Sequence, residues 1–277
     1  MTQGVFRERI AFLRRRIAAI EAREGFRPLV ETGRRTGAAP AAPFEGLLQE
    51  LGAGGFCEIV PARPSAAAAA AGFAVALALR AAALRRRGVV WIAEEMAARE
   101  IGLPYGVGLQ ALGLDPERLI LVRARSGAET LWAMEEALKS RAAAILAESW
   151  VAPSAYGLNA SRRLLLAQRR GGGLGLLLLL RAAGEARRLS SATPLRFEVA
   201  PAPPRLDARL PPPAPPVFRL RVAKARAGCG GLGSLDPSAW RDIAFDPDEA
   251  EFHAFRERFP VAPVDRSAAA PKRRAWA

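Results

Sequence analysis

Between residues 56 and 80 the chain reads FCEIVPARPSAAAAAAGFAVALALR, a short apolar strand (56–60), a loop with two prolines and an alanine-rich helix. Strand, loop and helix N-terminus in that order suit an anion, because the first amides of the helix and its dipole point at the incoming charge. A working phosphate loop of this kind is written GxxxxGK[ST]: the glycines let backbone N–H groups close on phosphate oxygens, and the lysine supplies charge. Here Pro61-Ala62-Arg63-Pro64-Ser65 runs into the six alanines 66–71, with neither glycine nor lysine. The stretch therefore predicts a nucleotide-binding fold that has lost its nucleotide chemistry, with no cofactor.

Other reactive residues are few. His253 is the one histidine, which argues against a Ser-His-Asp triad or a His-ligated metal in the core. Cys57 and Cys229 are far apart, so neither a disulfide framework nor a cysteine zinc site is expected, and a reducing compartment fits. The 277 residues, 51% hydrophobic, are enough for one large core with appendages. Forty-one Lys and Arg against 27 Asp and Glu give a formal charge of +14, nearly all of it arginine. That excess favours contact with nucleic acid or an acidic partner, although a bias toward arginine codons would produce the same count.

The elements that would position these residues follow in order. Residues 5–24 place Phe6, Ile10, Leu13, Ile17 and Ile20 at spacings of four and three, one apolar stripe on a helix whose other faces carry arginine. Two readings stand: a helix against its own core, or a partner-binding helix. Residues 1–24 are assigned to that helix, 25–43 to a linker, 44–259 to an α/β domain and 260–277 to a disordered basic tail. Within the domain, apolar strands at 56–60, 89–93, 119–122, 143–147 and 175–180 alternate with helices at 66–84, 127–140 and 160–168. The helix 127–140 carries Leu131, Met134 and Leu138 on one face. Strands this apolar, each followed by a helix, predict a mostly parallel sheet covered on both faces. Residues 195–199 and 218–223 alternate more and read as edge strands, and the proline-rich stretch between them reads as a stiff linker. The apolar run 174–180 is far short of the roughly 20 residues a membrane span needs, and MTQGVFRERIAF lacks the apolar core of a signal peptide. A cytoplasmic protein without a membrane segment is expected.

Residues 89–149, VVWIAEEMAAREIGLPYGVGLQALGLDPERLILVRARSGAETLWAMEEALKSRAAAILAES, resemble the ATPase core of the RecA recombinase. With GLDPERLILVRAR, ETLWAMEEAL, NASRRLLLAQRRGGGLGLLLLLR, SATPLRFEVAPAPP and WRDIAFDPDEAEF in that order, the closer resemblance is to the ImuA family of bacterial damage-inducible mutagenesis operons. The resemblance implies a RecA-like α/β fold in which Ser65 stands at the phosphate loop. It puts Glu95 where RecA has its water-activating glutamate and Glu148 near the Mg²⁺-holding carboxylate. It puts Arg181 at the γ-phosphate sensor, and residues 149–159 and 182–191 at the two DNA-holding loops. Glu94, Glu95 and Glu148 read equally as plain polar strand ends. Arg162, Arg163, Arg181, Arg187 and Arg188 read either as solvated surface or as a DNA-facing patch, with few aromatics nearby for base stacking.

The resemblance further implies a non-catalytic accessory protein of SOS-induced, error-prone translesion synthesis. Its partners would be an ImuB-like protein related to Y-family polymerases, an error-prone replicative-type polymerase and RecA, with weak DNA contact. Three alternatives stay open: an active ATP-dependent recombination enzyme, a nucleotide held without turnover, and a SulA-like cell-division inhibitor.

Overall fold

The computed structural model describes residues 43–153, 155–202, 215–226, 236 and 239–255. The stripe Phe6, Ile10, Leu13, Ile17 and Ile20, the linker, the tail and Cys229 lie outside the described residues. The elements are α1 (Pro43–Gly52), β1 (Gly55–Pro61), α2 (Ala67–Arg85), β2 (Val89–Glu94), α3 (Glu95–Ile101) and α4 (Gly106–Ala111). They continue with β3 (Leu119–Ala124), α5 (Gly127–Leu138), β4 (Ala144–Ser149), α6 (Leu158–Gly171), β5 (Leu174–Leu179), β6 (Leu195–Pro201), β7 (Val217–Ala225), β8 (Arg241–Asp246) and β9 (Glu251–Ala254).

The strands form one nine-stranded sheet in the order β3-β2-β4-β5-β1-β6-β7-β8-β9. Every pairing from β3 across to β6 is parallel, and β6 through β9 pair antiparallel. The expectation of a mostly parallel sheet flanked by helices therefore holds. The parallel strands β1, β2, β4 and β5 are buried along their whole length, as strands covered on both faces must be. One face packs on α1 and α2 through Leu48, Phe73, Leu77, Trp91, Leu146 and Phe197. The other packs on α5 and α6 through Phe56, Ile92, Met134, Ile145 and Leu164. Gly175 on β5 lets Phe56 lie across it: a Cβ there would stand 2.5 Å from the Phe56 ring and 2.9 Å from Leu138.

Three expectations need correction. Residues 195–199 and 218–223 are not edge strands. β6 is held between β1 and β7, and β7 between β6 and β8. The reason is that WRDIAFDPDEAEF folds back as the β8–β9 hairpin, with Asp246 Oδ1 accepting from the amides of Asp248 and Glu249 in the turn. The true edges are β3 and β9. Second, Thr130, Met134 and Leu138 form the buried line of α5, with Leu131 only partly covered. Third, the longest apolar segment is not 174–180. The helical stretch Pro64–Arg85, 22 residues, is long and apolar enough to cross a membrane. It is instead a core helix, with Phe73 through Ala81 all buried against the sheet and α1.

Candidate functional site

The carboxyl ends of the parallel strands gather Pro61, Glu94, Ser149 and Leu179 at one rim of the sheet, where an α/β protein of this kind keeps its chemistry. At β1 the chain turns tightly. Ala62 N–H donates to Val199 O at 2.8 Å, and Pro64, Ser65 and Ala66 form one 3-10 turn that runs straight into α2. Ala66 N–H donates to Arg63 O at 2.9 Å, and Ala67 N–H donates to Pro64 O. Pro64 has no amide hydrogen. The amides a triphosphate would need are thus spent on the turn's own carbonyls, and no lysine stands in for them, so these residues do not fit a nucleotide phosphate chain. Ser65 is exposed, and no hydrogen bond among the described residues joins it to a rim carboxylate.

The acidic residues divide by environment. Glu94, the last residue of β2, is buried; its Oε2 accepts from Ser149 Oγ at 2.9 Å and from Trp150 N–H at 2.8 Å. It staples the end of β2 to the end of β4. Glu95 is the first residue of α3 and is half-buried. Glu148 on β4 is buried on the α2 face, where Oε2 accepts from Trp91 Nε1 at 3.0 Å. Burial pushes its carboxyl up to about 7, against the opposing pull of the Trp91 hydrogen bond.

A second polar cluster lies under β1 on the α6 face. Glu58, fully buried in mid-strand, accepts from Tyr156 OH and Thr193 Oγ1, both at 2.6 Å, and from Arg196 Nε at 2.5 Å. Arg196 also donates to Ala186 O at 2.6 Å, Leu189 O at 3.0 Å and Ser191 Oγ at 2.7 Å. Lys224 Nζ donates to Ser191 O at 2.6 Å. Burial raises the Tyr156 hydroxyl well above its ordinary range, with the Glu58 charge adding to it. Burial lowers Lys224, with Glu58 opposing that shift. Charge and hydrogen bonds are matched here, and that is the condition for burying an ion pair. Residues 183–194 are therefore a strap laid over β1 and β6, with Ala186 and Leu189 in the core and Arg187 and Arg188 exposed.

The five arginines fall at or beside this strap. Arg181 follows β5 and is exposed, as is Arg162 in the first turn of α6. Ser161 beside it accepts from Ala192 N–H at 2.8 Å, which ties α6 to the strap. Arg163 is drawn to Glu135 on α5 at 2.6 Å, leaving Arg162, Arg181, Arg187 and Arg188 without ion pairs among the described residues.

Comparison with known proteins gives one sequence match of weight. The chain is 38% identical over 154 residues to Protein ImuA of Caulobacter vibrioides, in two strains alike. The match supports membership of the ImuA family. The chain spans 57% of the length of these ImuA relatives, and the match occupies 52% of this chain. No protein-family model matches. Among solved structures, SulA from Pseudomonas aeruginosa is 22% identical with a TM-score of 0.34, over 45% of this chain and 96% of that one.

For an ImuA-like chain the residues that do most at the rim were only partly visible in the sequence. Glu95, assigned the water-activating position, is not the tied residue; its neighbour Glu94 is. Glu58 and Arg196 were missed, although each is a charge inside an apolar strand, in FCEIV and LRFEV, and two opposite charges in central strands signal a buried pair. Asp246, Glu249 and His253 bring one ligand atom each within 4.8 Å, on the exposed β8–β9 turn.

Proposed function

We propose that this chain is a non-catalytic accessory protein of SOS-induced, error-prone translesion DNA synthesis, working in the cytoplasm with an ImuB-type protein, an error-prone replicative-type polymerase and RecA. The ImuA match supports a role in SOS mutagenesis at the level of the family. The tight turn at 61–67 carries the non-catalytic part of the reading. Phosphoryl transfer depends on positioning the triphosphate and neutralising its charge, and a turn that spends its amides internally does neither. Glu95 and Glu148 then have no attacking water or metal to serve, and the sheet is kept as a surface. DNA contact, through Arg162, Arg181, Arg187 and Arg188, would be electrostatic and weak.

The test is ATP turnover by the purified chain together with co-purification of an ImuB-type protein. We expect hydrolysis at the buffer rate with or without DNA, and capture of the ImuB-type protein. ATP hydrolysis that disappears in Glu95→Gln would overturn the non-catalytic reading, and failure to capture any ImuB-type protein would overturn the accessory one.

A further inference from the structure

The two edges of the sheet are built differently. β9 is four residues long, and α1 closes on it, with Glu45 Oε1 accepting from Ala254 N–H at 2.6 Å. β3 has six residues, and all its ladder partners among the described residues are on β2, from Val89↔Leu119 to Glu94↔Ala124. Its outer side offers a row of backbone donors and acceptors. Natural proteins usually blunt such an edge with proline, a bulge, a covering element or inward charges, because it templates a further strand. β3 has no proline or bulge. It carries exposed apolar side chains on both faces instead: Ile120, 63% exposed, on the α5 side, and Leu121, 42% exposed, on the other. Trp132 on α5, the helix beside β3, is 61% exposed. Large apolar groups on both sides of an unpaired edge mark a site that another chain covers.

Charge selects the occupant. Arg118, Arg123 and Arg125 stand at the start, body and end of the strand, all exposed and none in an ion pair among the described residues. We propose that β3 takes an extended segment of the partner protein as an added strand, apolar beside Ile120, Leu121 and Trp132 and acidic where it passes the three arginines. Backbone pairing supplies much of the affinity, and the alternating side chains supply the choice of partner. This rests on the accessory-protein reading above.

The experiment uses the full chain with an ImuB-type protein as probe. It compares the parent with I120K/L121K, and with Arg123→Glu as a second variant that leaves the apolar groups in place. We expect amides 119–124 to exchange more slowly in the complex than in the free chain. Both variants should bind at least about tenfold more weakly at an unchanged melting temperature. If the variants bind as tightly as the parent and amides 119–124 exchange as before, the edge assignment fails and the accessory reading stands. If the parent captures no partner, both fail. Amides 119–124 already protected in the free chain, and released when residues 1–42 are removed, would show the chain covering its own edge and overturn the proposal. A dimer that I120K/L121K dissociates would overturn it in favour of a second copy, and loss of oligonucleotide binding with partner capture intact would do so in favour of nucleic acid.

Discussion

Glu148 shows how burial alone changes the meaning of a carboxylate. Its place at the end of β4 is the place for an acid that holds a metal, yet it faces the α2 side of the core with Trp91 Nε1 as its hydrogen-bond partner. Its carboxyl titrates at about 7 in the folded chain against an ordinary 4.5. The folded state therefore holds a proton that the unfolded chain has released between those values, and stability falls as pH rises through that window. At about 1.4 kcal/mol per pH unit the loss is on the order of 3 kcal/mol. Glu148→Gln keeps an acceptor for Trp91 and removes the charge. Urea unfolding should find the variant near its parent at pH 5 and about 2–3 kcal/mol more stable at pH 8. Equal pH profiles would mean that Glu148 is ionised in the folded chain at neutral pH.

The strap 183–194 is an element without regular secondary structure, held by one side chain. Arg196 on β6 reaches across to Glu58 on β1 and takes the carbonyls of Ala186 and Leu189, so the segment is fixed by a buried charge. Resemblance placed a DNA-holding loop here; the structure shows a strap pinned to the sheet, its two arginines presented from a fixed backbone. Arg196→Met leaves Glu58 buried with its charge uncompensated, which costs about 3–5 kcal/mol. Glu58→Gln with Arg196→Met removes both charges and should recover a good part of it. Denaturant unfolding of the two variants measures the difference. Strap amides should exchange faster in Arg196→Met than those of β4 and β5.

Across the molecule, the parallel half of the sheet is a filled core, and the outward charge is concentrated at its carboxyl rim and on the β3 edge. Arg162, Arg187 and Arg188 sit together with the strap at that rim. Replacing all three by alanine should leave the melting temperature unchanged and flatten the salt dependence of single-stranded DNA binding. Removing one neutralised phosphate lowers the slope of log K against log salt by about 0.7. Fluorescence anisotropy at several salt concentrations reads that slope, and an unchanged slope would remove the rim from the DNA-binding surface. The antiparallel half has a different role. β7 is buried on alternate residues, Phe218, Leu220 and Val222 facing the core. Its other face is tied by Arg219 to Asp242 at 2.7 Å and by Arg221 to Glu198, with Arg221 also 4.5 Å above the Trp240 ring.

Strand and helix alternation was legible in the sequence from 56 to 180, because fully buried parallel strands are continuous apolar runs and their helices are long. The missing glycines and lysine were legible too, since a phosphate loop needs particular residue types at fixed spacing. The placement of β6 and β7 was not, because an alternating strand looks the same at an edge as inside an antiparallel meander, and only the β8–β9 hairpin decides between them. Nor was the choice of Glu94 over Glu95, which depends on which carboxylate of an adjacent pair the strand's pleat turns toward Ser149. By itself the sequence determined that the stretch at 56–80 holds no phosphate cradle. Tertiary structure decided where the remaining charges went, because a charge inside a strand is costly until the fold brings it a partner: Glu58 to Arg196, Glu94 to Ser149, and Arg118, Arg123 and Arg125 to an edge left open.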